Sequence, residues 1–147
     1  MNHRLSLFAG LLTLAVALPA AAQFARPDDA IKYRKAQFQV KQTHLGRLAA
    51  MANGRVPFDA KLAVDNAEIV AVLGRTTTLG FVPGSEGGSA KPEIWKETAR
   101  FNDFAAKSDA EAAKLLVAAK TGNLDAIKTA VAATGASCKA CHDVFRD

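Results

Sequence analysis

The sequence predicts an all-α fold, an antiparallel up-down-up-down bundle of four helices. Three observations point there. Half of the residues are hydrophobic, but much of that half is alanine, and aromatic residues make up only 7%. Alanine mixed with straight-chain and charged residues favours helices over sheets. Apolar residues recur at helical spacing in four stretches, and no long run alternates with period two.

The opening MNHRLSLFAGLLTLAVALPAAAQ stands apart from those stretches. A basic start at Arg4, an apolar run from Leu5 to Leu18 and the small residues Ala20, Ala21 and Ala22 form the layout of a secretory signal peptide. Cleavage after Ala22 removes residues 1–22 and leaves one domain, residues 23–147, of 125 residues. The apolar run, about 14 residues, falls short of the roughly 20 needed to span a bilayer. An uncleaved anchor is the alternative. The expectation is an exported, periplasmic protein with no membrane anchor after processing.

The first helical stretch runs from Pro27 to about Asn53. Proline suits a first helical position, and Asp28 and Asp29 suit the positive end of the helix dipole. Ile31, Phe38, Leu45 and Leu48 follow at helical spacing, and Gly54 stops the run. A second stretch, from about Phe58 to Leu79, carries Leu62, Ile69, Val72 and Leu73 on an apolar stripe. GFVPGSEGGSAKP, with four glycines and two prolines, is loop. The third stretch, from Pro92 to Thr121, holds Ile94, Trp95, Phe101, Phe104, Leu115 and Leu116. Gly122 then caps one helix and Asn123 begins the next. That fourth helix runs from Leu124 towards Phe145, with Ile127 and Val131 early and Gly135 as a point where it bends. Two short connections and one longer loop fit an up-down-up-down bundle.

Charge excludes one class of function. Without Arg4 the chain has 18 basic and 14 acidic side chains. The lysines are scattered and no aromatic residues alternate with them, so no nucleic-acid surface is expected.

The chemistry lies in ASCKACHDVFRD. Cys138, Cys141 and His142 stand at i, i+3 and i+4, so a helix places all three on one face. C-x-x-C-H is the attachment signal of a c-type haem: two thiols add to the vinyl groups and the imidazole reaches the iron. Other uses of a C-x-x-C pair fit less well. A thioredoxin-like dithiol belongs in a βαβ pattern, which is missing here. A structural zinc site takes four ligands, and beyond this segment the processed chain offers one histidine, His44, and no third cysteine. One covalent haem c is therefore expected, tethered by Cys138 and Cys141, with His142 as axial ligand.

Only DVFRD follows His142 in the sequence, so a second axial ligand must come from upstream or be missing. Met51 and His44 are the choices. If the first helix faces the haem through Phe38, His44 lies roughly 240° and Met51 roughly 220° round the helix. Both then point away, and the iron is expected to be five-coordinate with an apolar far side.

In GASCKACHDVFR, FARPDDAIKYRKAQF and PGSEGGSAKPEIW, the sequence resembles the cytochromes c′, the class II c-type cytochromes. The resemblance covers essentially all of residues 23–147. It implies a left-handed antiparallel four-helix bundle, a homodimer through the first two helices and a high-spin haem in the bacterial periplasm. Cys138 and Cys141 would then form the thioethers and His142 the proximal bond. Phe38 falls where the family occludes the distal face, Arg34 matches an arginine near the propionates, and Arg146 matches a basic residue beside the proximal histidine. Lys35 and Trp95 complete the implied haem pocket. Some members carry leucine where Phe38 stands, and glutamine is common where Lys35 stands.

These features lead to a redox-active haem protein that binds the small gases nitric oxide and carbon monoxide. A periplasmic electron carrier with redox protein partners is the alternative. An enzyme such as a peroxidase is not expected, because that chemistry needs a distal acid–base group and Phe38 supplies none.

Overall fold

The computed structural model describes residues 23–147. The signal-peptide expectation for residues 1–22 lies outside the described residues. Four long helices form: α1 (Pro27–Ala52), α2 (Ala60–Arg75), α4 (Thr98–Lys120) and α5 (Leu124–Phe145). A single-turn helix, α3 (Glu93–Lys96), precedes α4. The long helices close a square, α1 on α2, α2 on α4, α4 on α5 and α5 on α1, with the α1–α5 seam the most open. That is the four-helix bundle the sequence predicts. Among the described residues no helix is long and apolar enough to cross a membrane.

Local chemistry sets the helix ends. Pro27 opens α1 with Asp28 and Asp29 in the first turn. The Asp59 carboxylate accepts from Leu62 N at 2.9 Å and starts α2. Asn123 Oδ1 accepts from Ala126 N at 3.0 Å and starts α5, as expected.

Two boundaries differ from expectation. Helix α2 stops at Arg75 rather than Leu79. Thr76 and Thr77 both turn their hydroxyls back on Leu73 O, competing with the helical ladder. The third stretch is broken at Glu97 (φ −114°, ψ 45°), where Thr98 Oγ1 donates to Trp95 O at 3.2 Å. Helix α5, by contrast, runs unbroken through Gly135.

The buried face of α2 is also not the stripe its larger side chains suggest. Leu62, Ile69 and Val72 are exposed, while Ala63, Ala67, Val70, Ala71 and Gly74 face inward. Small residues let α2 lie close on α4. A Cβ on Gly74 would stand 2.9 Å from Asp109 Oδ1 and 3.3 Å from Ala112 Cβ.

The core falls into two clusters. At one end Leu48, Met51, Val70, Leu115 and Ile127 pack among alanines. Each fully buried aliphatic side chain there contributes on the order of 1.5–3 kcal/mol. At the other end Ile94, Phe101 and Phe145 pack with Phe81, Trp95 and Phe104. The rings interlock edge to face, Phe81 with Phe101 at 4.8 Å and Phe101 with Phe145 at 5.4 Å between centroids.

Candidate haem site

A cavity of about 630 Å³ opens at the aromatic end, between α1 and α5. Cys138, Cys141 and His142 line it from α5, on one helix face as their spacing requires. The two cysteines are not joined in a disulfide. The cavity has the size and largely apolar surface of a cofactor site. Phe81, Ile94, Phe101 and Phe145 supply its hydrophobic walls, and Phe38 faces α5 from α1. The Phe38 ring meets Phe81 edge-on, 6.2 Å between centroids. Two thiols and an imidazole on one wall of an apolar slot fit a c-type haem. Cys138 and Cys141 would hold it, and His142 would bind its iron.

Electrostatics favour the same use. Burial first, then the nearby Arg146 guanidinium, push His142 below the ordinary histidine range, despite Asp143. The imidazole is thereby kept neutral, the form that binds a metal. Burial, then the neighbouring Cys138, push the Cys141 thiol up, against the pull of Lys41. Ser108 Oγ lies 4.0 Å from Cys138 Sγ.

The lining holds five cationic side chains, Arg34, Lys35, Lys41, Lys139 and Arg146, and no carboxylate. Their placements differ. Arg34 is buried and committed to the loop between α2 and α3. Its Nη1 donates to Gly80 O (3.0 Å), Ser85 O (2.7 Å) and Ser85 Oγ (3.1 Å), and its Nη2 to Gly87 O (2.7 Å). Gly80 is required there, since a Cβ would stand 2.6 Å from Arg34 Cβ. Lys139 pairs with Asp143 at 2.6 Å. Lys35 and Arg146 are exposed at the rim, Arg146 close enough to His142 to act on its charge.

Of the residues expected in the pocket, Trp95 is the one the structure does not place there. It sits a layer back, 6.1 Å from Phe81, with Nε1 donating to Val82 O at 3.1 Å. Its body supports the wall and its polar edge anchors the loop. The two upstream ligand choices are also elsewhere. Met51 is in the aliphatic cluster at the other end, and His44 Nδ1 hydrogen-bonds Asn66 Oδ1 at 2.8 Å between α1 and α2.

The far side is not wholly apolar, however. Lys41 lines the cavity with 5% of its surface exposed. Its signal was present in the sequence: it stands three residues after Phe38 and seven after Arg34, on the same face of α1. A lysine on that face reads as a surface charge until the opposite helix is seen to leave a hole there.

A family model described as Cytochrome C′ matches residues 29–146. Cytochrome c′ of Rubrivivax gelatinosus is 44% identical over 128 residues, covering 85% of this chain and 99% of that protein. Its crystal structure superposes with a TM-score of 0.81, covering 85% of this chain and all of that one. A nitric oxide complex of a variant of cytochrome c prime from Alcaligenes xylosoxidans is 39% identical, with a TM-score of 0.81. A carbon monoxide-bound variant of that cytochrome gives the same identity and TM-score. Both cover 85% of this chain and 99% of the other.

Proposed function

The chain belongs to the cytochrome c′ family, and on that premise we propose that it is a periplasmic haem protein whose iron keeps one side open to nitric oxide and carbon monoxide. One haem c is held by thioethers from Cys138 and Cys141, with His142 as the protein's ligand to the iron. When bound, the haem supplies the redox-active, gas-binding centre. The chain supplies everything that restricts it.

The observation that carries this reading is the composition of the cavity. Two thiols and one imidazole face an aromatic side chain across it, and its lining has no methionine and no second histidine. Phe38 occupies the approach from α1, so a small neutral molecule enters as that ring turns aside. Phe81, Phe101 and Phe145 give the cavity apolar walls, which suit neutral diatomic guests. Complexes of a relative with nitric oxide and carbon monoxide support the same ligand class. We place the protein among binders rather than enzymes, since Phe38, at the approach from α1, carries no acid–base group.

Export by residues 1–22 and a homodimer through α1 and α2 belong to the same proposal. Val40 on α1 and Leu62, Ile69 and Val72 on α2 are exposed apolar side chains available to a second copy.

The test is an optical spectrum of the purified protein, oxidised and reduced, with and without carbon monoxide. A high-spin spectrum that shifts on adding the gas is expected. A low-spin spectrum indifferent to carbon monoxide would sink the reading and leave an electron carrier in its place.

A further inference from the structure

Lys41 is nine-tenths buried, lines the haem cavity and is unaccounted for by the attachment of the cofactor. Among the described residues its ammonium has neither a hydrogen-bond nor an ion-pair partner. Its electrostatic neighbours are Asp109 and the sulfurs of Cys138 and Cys141, with Asp109 beyond ion-pair distance. Thioether formation consumes both thiols, and only the Asp109 carboxylate then remains.

The other cations of the lining are partnered or exposed. Arg34 is spent on loop carbonyls, Lys139 on Asp143, and Lys35 and Arg146 are exposed at the rim, Arg146 close to His142. Of the two buried cations in the lining, Arg34 and Lys41, Lys41 is the one without a hydrogen bond among the described residues. It shares a helix face with Phe38, and α1 lies across the cavity from His142 on α5. A planar group tethered to α5 through Cys138 and Cys141 would have Phe38 and Lys41 of α1 on its other side.

The Lys41 side chain is buried but its ammonium is open to the cavity. An anion placed beside a cation in so apolar a space, where only the more distant Asp109 offsets its charge, is favoured. We propose that Lys41 is a distal-side binding residue that gives this protein affinity for small monovalent anions at the open side of the haem, alongside neutral gases. This rests on the five-coordinate reading above. Lys41 donates from Nζ to the bound anion, and Phe38 limits the guest to a few atoms.

The experiment compares the intact haem protein with Lys41→Met and Lys41→Arg. Ferric protein is titrated with sodium azide and ferrous protein with carbon monoxide, both followed optically. A charge-assisted hydrogen bond predicts that Lys41→Met lowers the ratio of azide to carbon monoxide affinity by about tenfold or more, with Lys41→Arg restoring much of it. The infrared C–O stretch of the carbon monoxide complex moves to higher frequency in Lys41→Met as the positive field is lost.

Unchanged ratios and an unmoved stretch overturn the role of Lys41 while leaving gas binding intact. A ferric spectrum that turns from low-spin to high-spin in Lys41→Met also overturns it, since the amine would then be the iron's own ligand. A wild-type protein that takes up neither probe overturns the open-iron reading and this one with it.

Discussion

At one end of the bundle α1 turns Leu48, Met51 and Ala52 inward; at the other the same helix buries Arg34, Gln37 and Lys41. The aliphatic end is finished by its own side chains, with α2 laid close on α4 through alanines and Gly74. At the aromatic end the helices stand apart around a cavity, and hydrogen bonds do what packing does elsewhere. Arg34 ties down Gly80, Ser85 and Gly87. Gln37 Nε2 donates to Thr76 O (3.2 Å) and Thr77 O (3.3 Å), and its Oε1 accepts from Thr76 Oγ1 (3.0 Å). The difference separates two tasks within one helix pair. One end supplies stability, and the other holds a shaped space open, at a cost in burial, for a guest.

That division can be broken most forcefully at the closed end. Leu115 is fully buried there, and Leu115→Ala should cost about 2–5 kcal/mol, read as a lower urea midpoint. The optical spectrum of the bound haem should stay as in the parent. A spectrum that changes with Leu115→Ala would show that the two ends are not separable.

Arg34→Ala comes next. It strips the loop of its charged donor and leaves buried carbonyls unpaired, for an expected loss of about 2–3 kcal/mol. Faster amide hydrogen exchange confined to residues 76–92 would place that loss in the loop. The smallest change in stability belongs to Phe38→Ala, which widens a space that already exists. Its effect should be kinetic: carbon monoxide association, followed by stopped flow, should quicken at least about tenfold, or ~1.4 kcal/mol off the barrier. Equal rates would remove Phe38 as the gate.

The helices and the haem motif were legible because each is written locally. Pro27, Gly54, Gly122 and Asn123 mark ends by their own backbone chemistry, and C-x-x-C-H sets its geometry by helical spacing. Most of what escaped depends on a partner element. The outward turn of Leu62, Ile69 and Val72 follows from how closely α2 approaches α4, which large-residue periodicity does not report. The break at Glu97 comes where the Thr98 hydroxyl turns back on Trp95 O, a local contact that apolar periodicity does not report. Arg34 reads as a pocket charge, and its second task, tying down the loop at Gly80, Ser85 and Gly87, shows only once the loop is folded over it. Lys41 has the pattern of an exposed lysine and the surroundings of a buried one.

The last residues of the chain as described are stitched to the glycine-rich loop: Lys91 N donates to Phe145 O, and Asp147 N to Ser89 O, each at 3.0 Å. The turn that carries His142 therefore cannot fray without unpicking a piece of the opposite rim. Protection of the Lys91 and Asp147 amides becomes a gauge of the tension on that imidazole, readable at the surface by NMR without observing the metal itself.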